Sequence, residues 1–73
     1  MTDAEFENLS PLQKQTVGDL AVLLDTLNEF GGRVNTTPIY MALGHDMARY
    51  ERVILLGANA GLLQSSSTEI WRT

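Results

Sequence analysis

The sequence predicts a mainly α domain, a core of three helices followed by a short C-terminal β-hairpin. Three observations predict it. Val17, Leu20, Leu24 and Leu27 recur at three- and four-residue intervals, the spacing of one helical face. Two further segments each open on a capping residue and close on a glycine. Two short extended pieces then flank the polar run Ser65-Ser66-Ser67. The competing architecture is a plain bundle of three or four helices with a disordered tail.

The elements follow in order. Thr2-Asp3-Ala4-Glu5 has the spacing of a capping box, so residues 1–9 form either a short helical turn or a frayed acidic arm. Residues 10–73 form the single domain. Ser10 and Gln13 repeat the capping box, and Pro11 occupies the first helical position, where its missing N–H costs nothing. The helix runs through the apolar stripe with Ala21 beside it, while Val22 and Leu23 lie off the stripe. Gly18 inside it costs about 1 kcal/mol relative to alanine, and Phe30-Gly31-Gly32 ends it. Arg33-Val34-Asn35 is long enough only for a scrap of strand. Thr37 then caps a helix from Pro38 to Leu43, with Ile39, Ala42 and Leu43 on one side and Gly44 as its stop. Asp46 caps a third helix from about Met47 to Ala60, closed by Gly61. Leu62 to Gln64 and Thr68 to Trp71 make the hairpin.

Composition narrows the function. The 73 residues allow one small domain, which buries only roughly 60% of its unfolded surface. With no cysteine, disulfides and thiolate zinc sites are excluded. The longest apolar runs, Leu20 to Leu24 and Val53 to Leu56, fall far short of the ~18 residues of a membrane span. The expected location is the cytoplasm, with no membrane partner. Net charge is −4, split as −5 over residues 1–32 and +1 over residues 33–73. That balance argues against a nonspecific polyanion binder, because phosphate affinity comes mainly from Lys and Arg.

Residues that carry chemistry elsewhere have ordinary readings here. His45 sits in a turn beside Asp46 with no further ligands at metal spacing. The serine run has no accompanying base or oxyanion arrangement. Gly31-Gly32 lacks the lysine and hydroxyl of a phosphate loop. The sequence therefore reads as a non-enzyme with neither cofactor nor metal.

The order helix, short strand, helix, tight turn, helix, two-stranded ribbon resembles the winged helix-turn-helix family. The carrying residues are Gly32-Arg33-Val34-Asn35-Thr36-Thr37 before the second helix, Ala42-Leu43-Gly44 at the turn, and Ala60-Gly61-Leu62-Leu63 entering the wing. The likeness covers about residues 11–72. In that family the third helix enters the DNA major groove and the wing touches backbone or minor groove. The resemblance implies Met47, Ala48, Arg49 and Arg52 as base-facing positions and Ser65 to Ser67 as the wing tip. Only Arg49 and Arg52 can read guanine, and Arg72 lies near the wing's base. Small acidic regulators of bacteriophage type that bind host RNA polymerase are similar in size and character.

The apolar residues favour a protein partner. Val53 to Leu56 point to every side of a helix, so a register that buries Tyr50, Val53, Ile54 and Gly57 leaves Leu55 and Leu56 exposed. Together with Met47, Arg49, Arg52 and Trp71 they form the candidate partner-binding set. Asp3, Glu5 and Glu7 form a candidate acidic contact surface. Trp71 has two readings, a lid over the core and a binding anchor, and Arg49 and Arg52 are also explained by surface pairing around Glu51. The expected function is a small acidic transcription regulator or inhibitor that binds a protein, with an RNA polymerase subunit as the candidate. The alternative is a winged-helix repressor that binds DNA weakly through Arg49, Arg52 and Arg72 and acts as a homodimer.

Overall fold

Four helices and three short strands follow one another in the computed structural model, which describes residues 2–73 apart from the side chain of Asp3. They are α1 (Asp3–Glu7), α2 (Pro11–Glu29), β1 (Arg33–Asn35), α3 (Thr36–Ala42), α4 (Met47–Asn59), β2 (Leu63–Ser65) and β3 (Glu69–Arg72). The result is a small, mostly helical α+β fold with a three-stranded antiparallel sheet in the order β1-β3-β2.

Local chemistry starts the helices. The Gln13 amide donates to Ser10 Oγ at 3.1 Å, and Gln13 Oε1 accepts from the Ser10 amide at 2.8 Å. Thr2 and Glu5 make the same reciprocal pair at the head of α1. Asp46 accepts from the Arg49 amide at 3.1 Å and opens α4. The ends of α2, α3 and α4 share one device. Gly31, Gly44 and Gly61 adopt positive φ just past the helix, and the following amide returns to the carbonyl of Leu27, Tyr40 or Gly57. This Schellman geometry satisfies carbonyls that the helix itself leaves open.

The start of α3 differs from the sequence reading. Asn35, not Thr37, is the cap position, and it makes no side-chain cap bond. Pairing with β3 explains the shift. Asn35 sits opposite Glu69, and the Thr36 amide donates to the Thr68 carbonyl at 3.0 Å, so the sheet delivers the chain straight into the helix. Pro38 then falls at the third helical position, where an N–H would have no helical partner.

The core is Leu20, Leu23 and Leu27 of α2, Ile39 of α3, Val53 of α4, Leu63 of β2 and Ile70 of β3. Leu23 therefore lies on the buried stripe, whereas Leu24 and Val17 flank it and Ala21 is exposed. Gly57 allows the tightest approach. A Cβ there would stand 2.6 Å from Leu63 Cδ2 and 3.0 Å from Leu20 Cδ1. The hairpin pairs Ser65 with Ile70, Gln64 with Trp71 and Leu63 with Arg72. Its turn is held by Ser66 Oγ, which accepts from the amides of Thr68 and Glu69 at 3.3 and 3.2 Å.

Candidate functional site

The arginines of α4 stand three residues apart and do different things. Arg49 reaches back to α2, where its Nε and Nη2 each donate to Asp19 at 2.8 Å. This is the side-on fork that guanidinium and carboxylate form best. Asp19's side chain is only 10% exposed and Arg49's 32%. The hydrogen bond to Asp19 raises the Arg49 pKa above its ordinary value, burial opposes it, and the charges of Asp19 and Asp46 add to it. Pairing of Arg49 with Glu51 is thus corrected. The separation of 30 residues hides this partner from any local reading, and the fork leaves Arg49 only its outer N–H groups for another ligand.

Arg52 is half-buried, and among the described residues its buried Nε has no hydrogen-bond partner and no carboxylate lies within ion-pair distance. The remaining arginines are engaged. Arg33 Nη1 donates to both oxygens of Glu69 at 3.3 Å and its guanidinium lies 5.2 Å from the centre of the Trp71 ring. Arg72 donates to the Asn28 side chain at the end of α2.

The leucine pair divides. Leu55 is 61% exposed, but Leu56 is half-buried and packs on the core, because it follows Val53 by three residues on the same side of α4. The expected patch next to Trp71 divides as well. Ile70 is fully buried, and successive strand residues point to opposite faces, so Trp71 turns away from the helices toward Arg33. Ile70, not Trp71, closes the sheet over the core. Met47 is 53% exposed at the start of α4, two turns before Leu55.

Leu55 and Leu56 instead join residues of α2 and its approach. Together with Arg52 they line one side of a groove of about 380 Å³, and Leu9, Leu12 and Val17 line the other. Sequence reasoning missed Leu9 and Leu12 as site residues. Their signal was the spacing Leu9, Leu12, Thr16, which extends helical periodicity upstream of the core stripe. A larger hollow of about 560 Å³ lies between the end of α2, β1 and α3, beside the exposed Phe30. Its two charged lining residues, Arg33 and Glu69, already pair with each other.

Of the acidic set, Glu5 serves the α1 cap and Glu7 is exposed, while the Asp3 side chain lies outside the described residues. At the turn between α3 and α4, Tyr40 donates to the His45 carbonyl at 2.7 Å and meets the rings of His45 and Tyr50 edge-on. His45 has φ +58°, an uncommon value for a residue with a Cβ. Among the described residues no cluster of three His, Asp or Glu side chains could hold a metal ion, and no helix is long and apolar enough to cross a membrane. Neither a protein-family model, nor a curated protein, nor a solved structure matches the chain.

Proposed function

We propose that the chain is a winged helix-turn-helix module that works by docking on a protein, as a small acidic transcription regulator or inhibitor. Its support begins with topology. The succession α2-β1-α3-α4-β2-β3 follows the order of elements on which the resemblance rests, and β3 pairs with both β1 and β2.

One observation carries the choice of a protein over DNA. The early turns of α4, the segment that would enter a major groove, present Met47, Ala48 and Glu51 to solvent, while Arg49 is tied to Asp19 and Arg52 is half-buried. Bases are read by hydrogen-bonding side chains, and phosphates are held by cations. A methionine and an alanine supply neither, and a carboxylate repels phosphate and can accept only from a base amino group such as cytosine's. An apolar face rimmed by polar groups suits a protein surface. The transcription apparatus, with RNA polymerase as the first candidate, enters through the resemblance to small acidic regulators, and this part of the proposal rests on likeness of size and charge alone.

The test compares two binding modes on the intact chain. Purified RNA polymerase and a labelled DNA duplex are offered to the wild type and to Leu55→Asp across a salt series. The proposal expects polymerase binding that Leu55→Asp abolishes, with only weak duplex binding. Tight duplex binding that falls steeply with salt and is lost in Arg52→Ala and Arg72→Ala would establish the repressor reading instead.

A further inference from the structure

We propose that the groove between α2 and α4 takes an amphipathic helix of a partner protein carrying a carboxylate within its apolar face, and that Arg52 is the residue that reads this carboxylate. The proposal rests on the docking reading above and gives its partner a chemistry.

The shape of the site argues for a helix. The groove's walls are themselves helices, and each contributes residues at three- and four-residue intervals. On α4 the lining runs from Arg52 to Asn59, about 10 Å of helix axis, or two turns. A third helix laid along two others fills such a channel by setting its ridge of side chains into their gap. It anchors through residues at i, i+3 or i+4, and i+7. Leu9, Leu12, Val17, Leu55 and Leu56 give those anchors an apolar floor and walls.

Charge argues for the carboxylate. Arg52 is the one charged side chain among the described residues lining the groove. Its Nε–H is withdrawn from water without an acceptor, a condition that costs free energy. Three residues earlier, Arg49 spends its Nε and Nη2 on Asp19. Arg52 has the same fork and no described carboxylate to receive it. A Glu or Asp brought by the partner into the groove supplies the Arg52 guanidinium with what Asp19 supplies to Arg49. A second copy of the chain is a poorer occupant. Each copy carries a net charge of −4, and its acidic segment α1 is a helix of only five residues, too short to fill two turns with anchors on one face.

The experiment selects from a displayed library of amphipathic helical peptides. Their apolar stripe is fixed, and one flanking position is divided among Glu, Gln and Lys. The bait is the full chain. Glu peptides should be enriched. Their affinity should fall about tenfold for Arg52→Gln, Arg52→Glu should reverse the preference to Lys, and Leu55→Asp should abolish binding. Trp71→Ala should leave binding unchanged. Amide shift mapping on the wild type should place the peptide along Leu12, Leu55 and Asn59, which tests the site without any variant. Equal enrichment of Glu, Gln and Lys, indifference to Arg52, or absence of binders would overturn the inference. Peptides lost with Trp71→Ala but kept by Leu55→Asp would remove this groove while leaving protein docking itself intact. Concentration-dependent sedimentation of the free chain through the same leucine would assign the groove to self-association and overturn it too.

Discussion

The contact between α2 and α4 is closed at one end and open at the other. Where Leu20 meets Gly57, the missing side chain lets Leu63 of the hairpin press into the seam, and Val53, Leu63 and Ile70 lose all exposure. Where Leu12 and Leu55 line the groove, no third element arrives, and both remain at least half exposed. The difference is a matter of supply. The hairpin delivers two large side chains, Leu63 and Ile70, to one end, whereas α1, only five residues long, contributes no described lining residue to the other. Apolar surface left uncovered in a small domain is a cost unless something binds it.

Breaking the closed end should produce the largest effect. Leu63→Ala removes a fully buried side chain at the meeting of α4 and the hairpin, and such truncations cost about 2–5 kcal/mol. For a domain of this length, whose total stability is about 4–11 kcal/mol, that loss is roughly half of a mid-range value, so the urea midpoint should fall markedly. Urea denaturation followed by circular dichroism measures it. An unchanged midpoint would mean that the hairpin does not hold the seam.

Gly57→Ala attacks the same end by adding an atom. Its Cβ would lie 2.7 Å from Leu63 Cγ, an atom near the backbone of a side chain with nowhere to go. Overpacking of this kind costs about 1–3 kcal/mol, against a gain of up to about 1 kcal/mol in helix propensity. Net destabilisation is expected. Gly18→Ala is the control, because it is exposed and nothing lies within 4 Å of its Cβ position. There only the propensity term acts, and the protein should gain about 0.5–1 kcal/mol. If both substitutions move the melting temperature in one direction, the close approach at Gly57 carries no weight.

At the open end the expected effect on folding is small. Leu55→Ser should shift stability by no more than about 0.5 kcal/mol, as exposed positions do, while abolishing protein docking. A variant that unfolds would show that Leu55 belongs to the core after all.

The closed end was largely legible in the sequence and the open end only partly. Caps are local, so Ser10 with Gln13, Asp46 with the amide three residues on, and the glycine stops could be read directly. The hairpin, too, followed from two short extended pieces around the serines. The buried stripe was misassigned by one residue, Leu24 for Leu23, because a helix apolar on several sides offers adjacent lines and tertiary packing chooses between them. The α3 start moved for a similar reason, since strand pairing with β3 overrode the Thr37-Pro38 signal. What no pattern could supply were the distant partners. Asp19 for Arg49, Arg33 for Trp71, and Leu12 for Leu55 are brought together by the fold.

The smallest effect concerns Tyr50, at the margin of the core where α4 meets Tyr40 of α3. Burial raises the pKa of its phenol above the ordinary value of 10.0, because the phenolate loses hydration there. An acid whose folded value is raised holds its proton longer in the folded state than in the unfolded one. Its contribution is complete below pH 10.0, the unfolded value, and declines as the pH climbs from there through the higher folded value. Stability should therefore fall across that alkaline interval. Among the described residues the Tyr50 hydroxyl makes no hydrogen bond, so Tyr50→Phe should leave neutral-pH stability nearly unchanged while flattening part of the alkaline decline. Urea midpoints measured at neutral pH and above pH 10.0 test this. Parallel declines in wild type and Tyr50→Phe would show that the phenol titrates alike in both states, and that this edge of α4 is as open to water as the groove around Leu55.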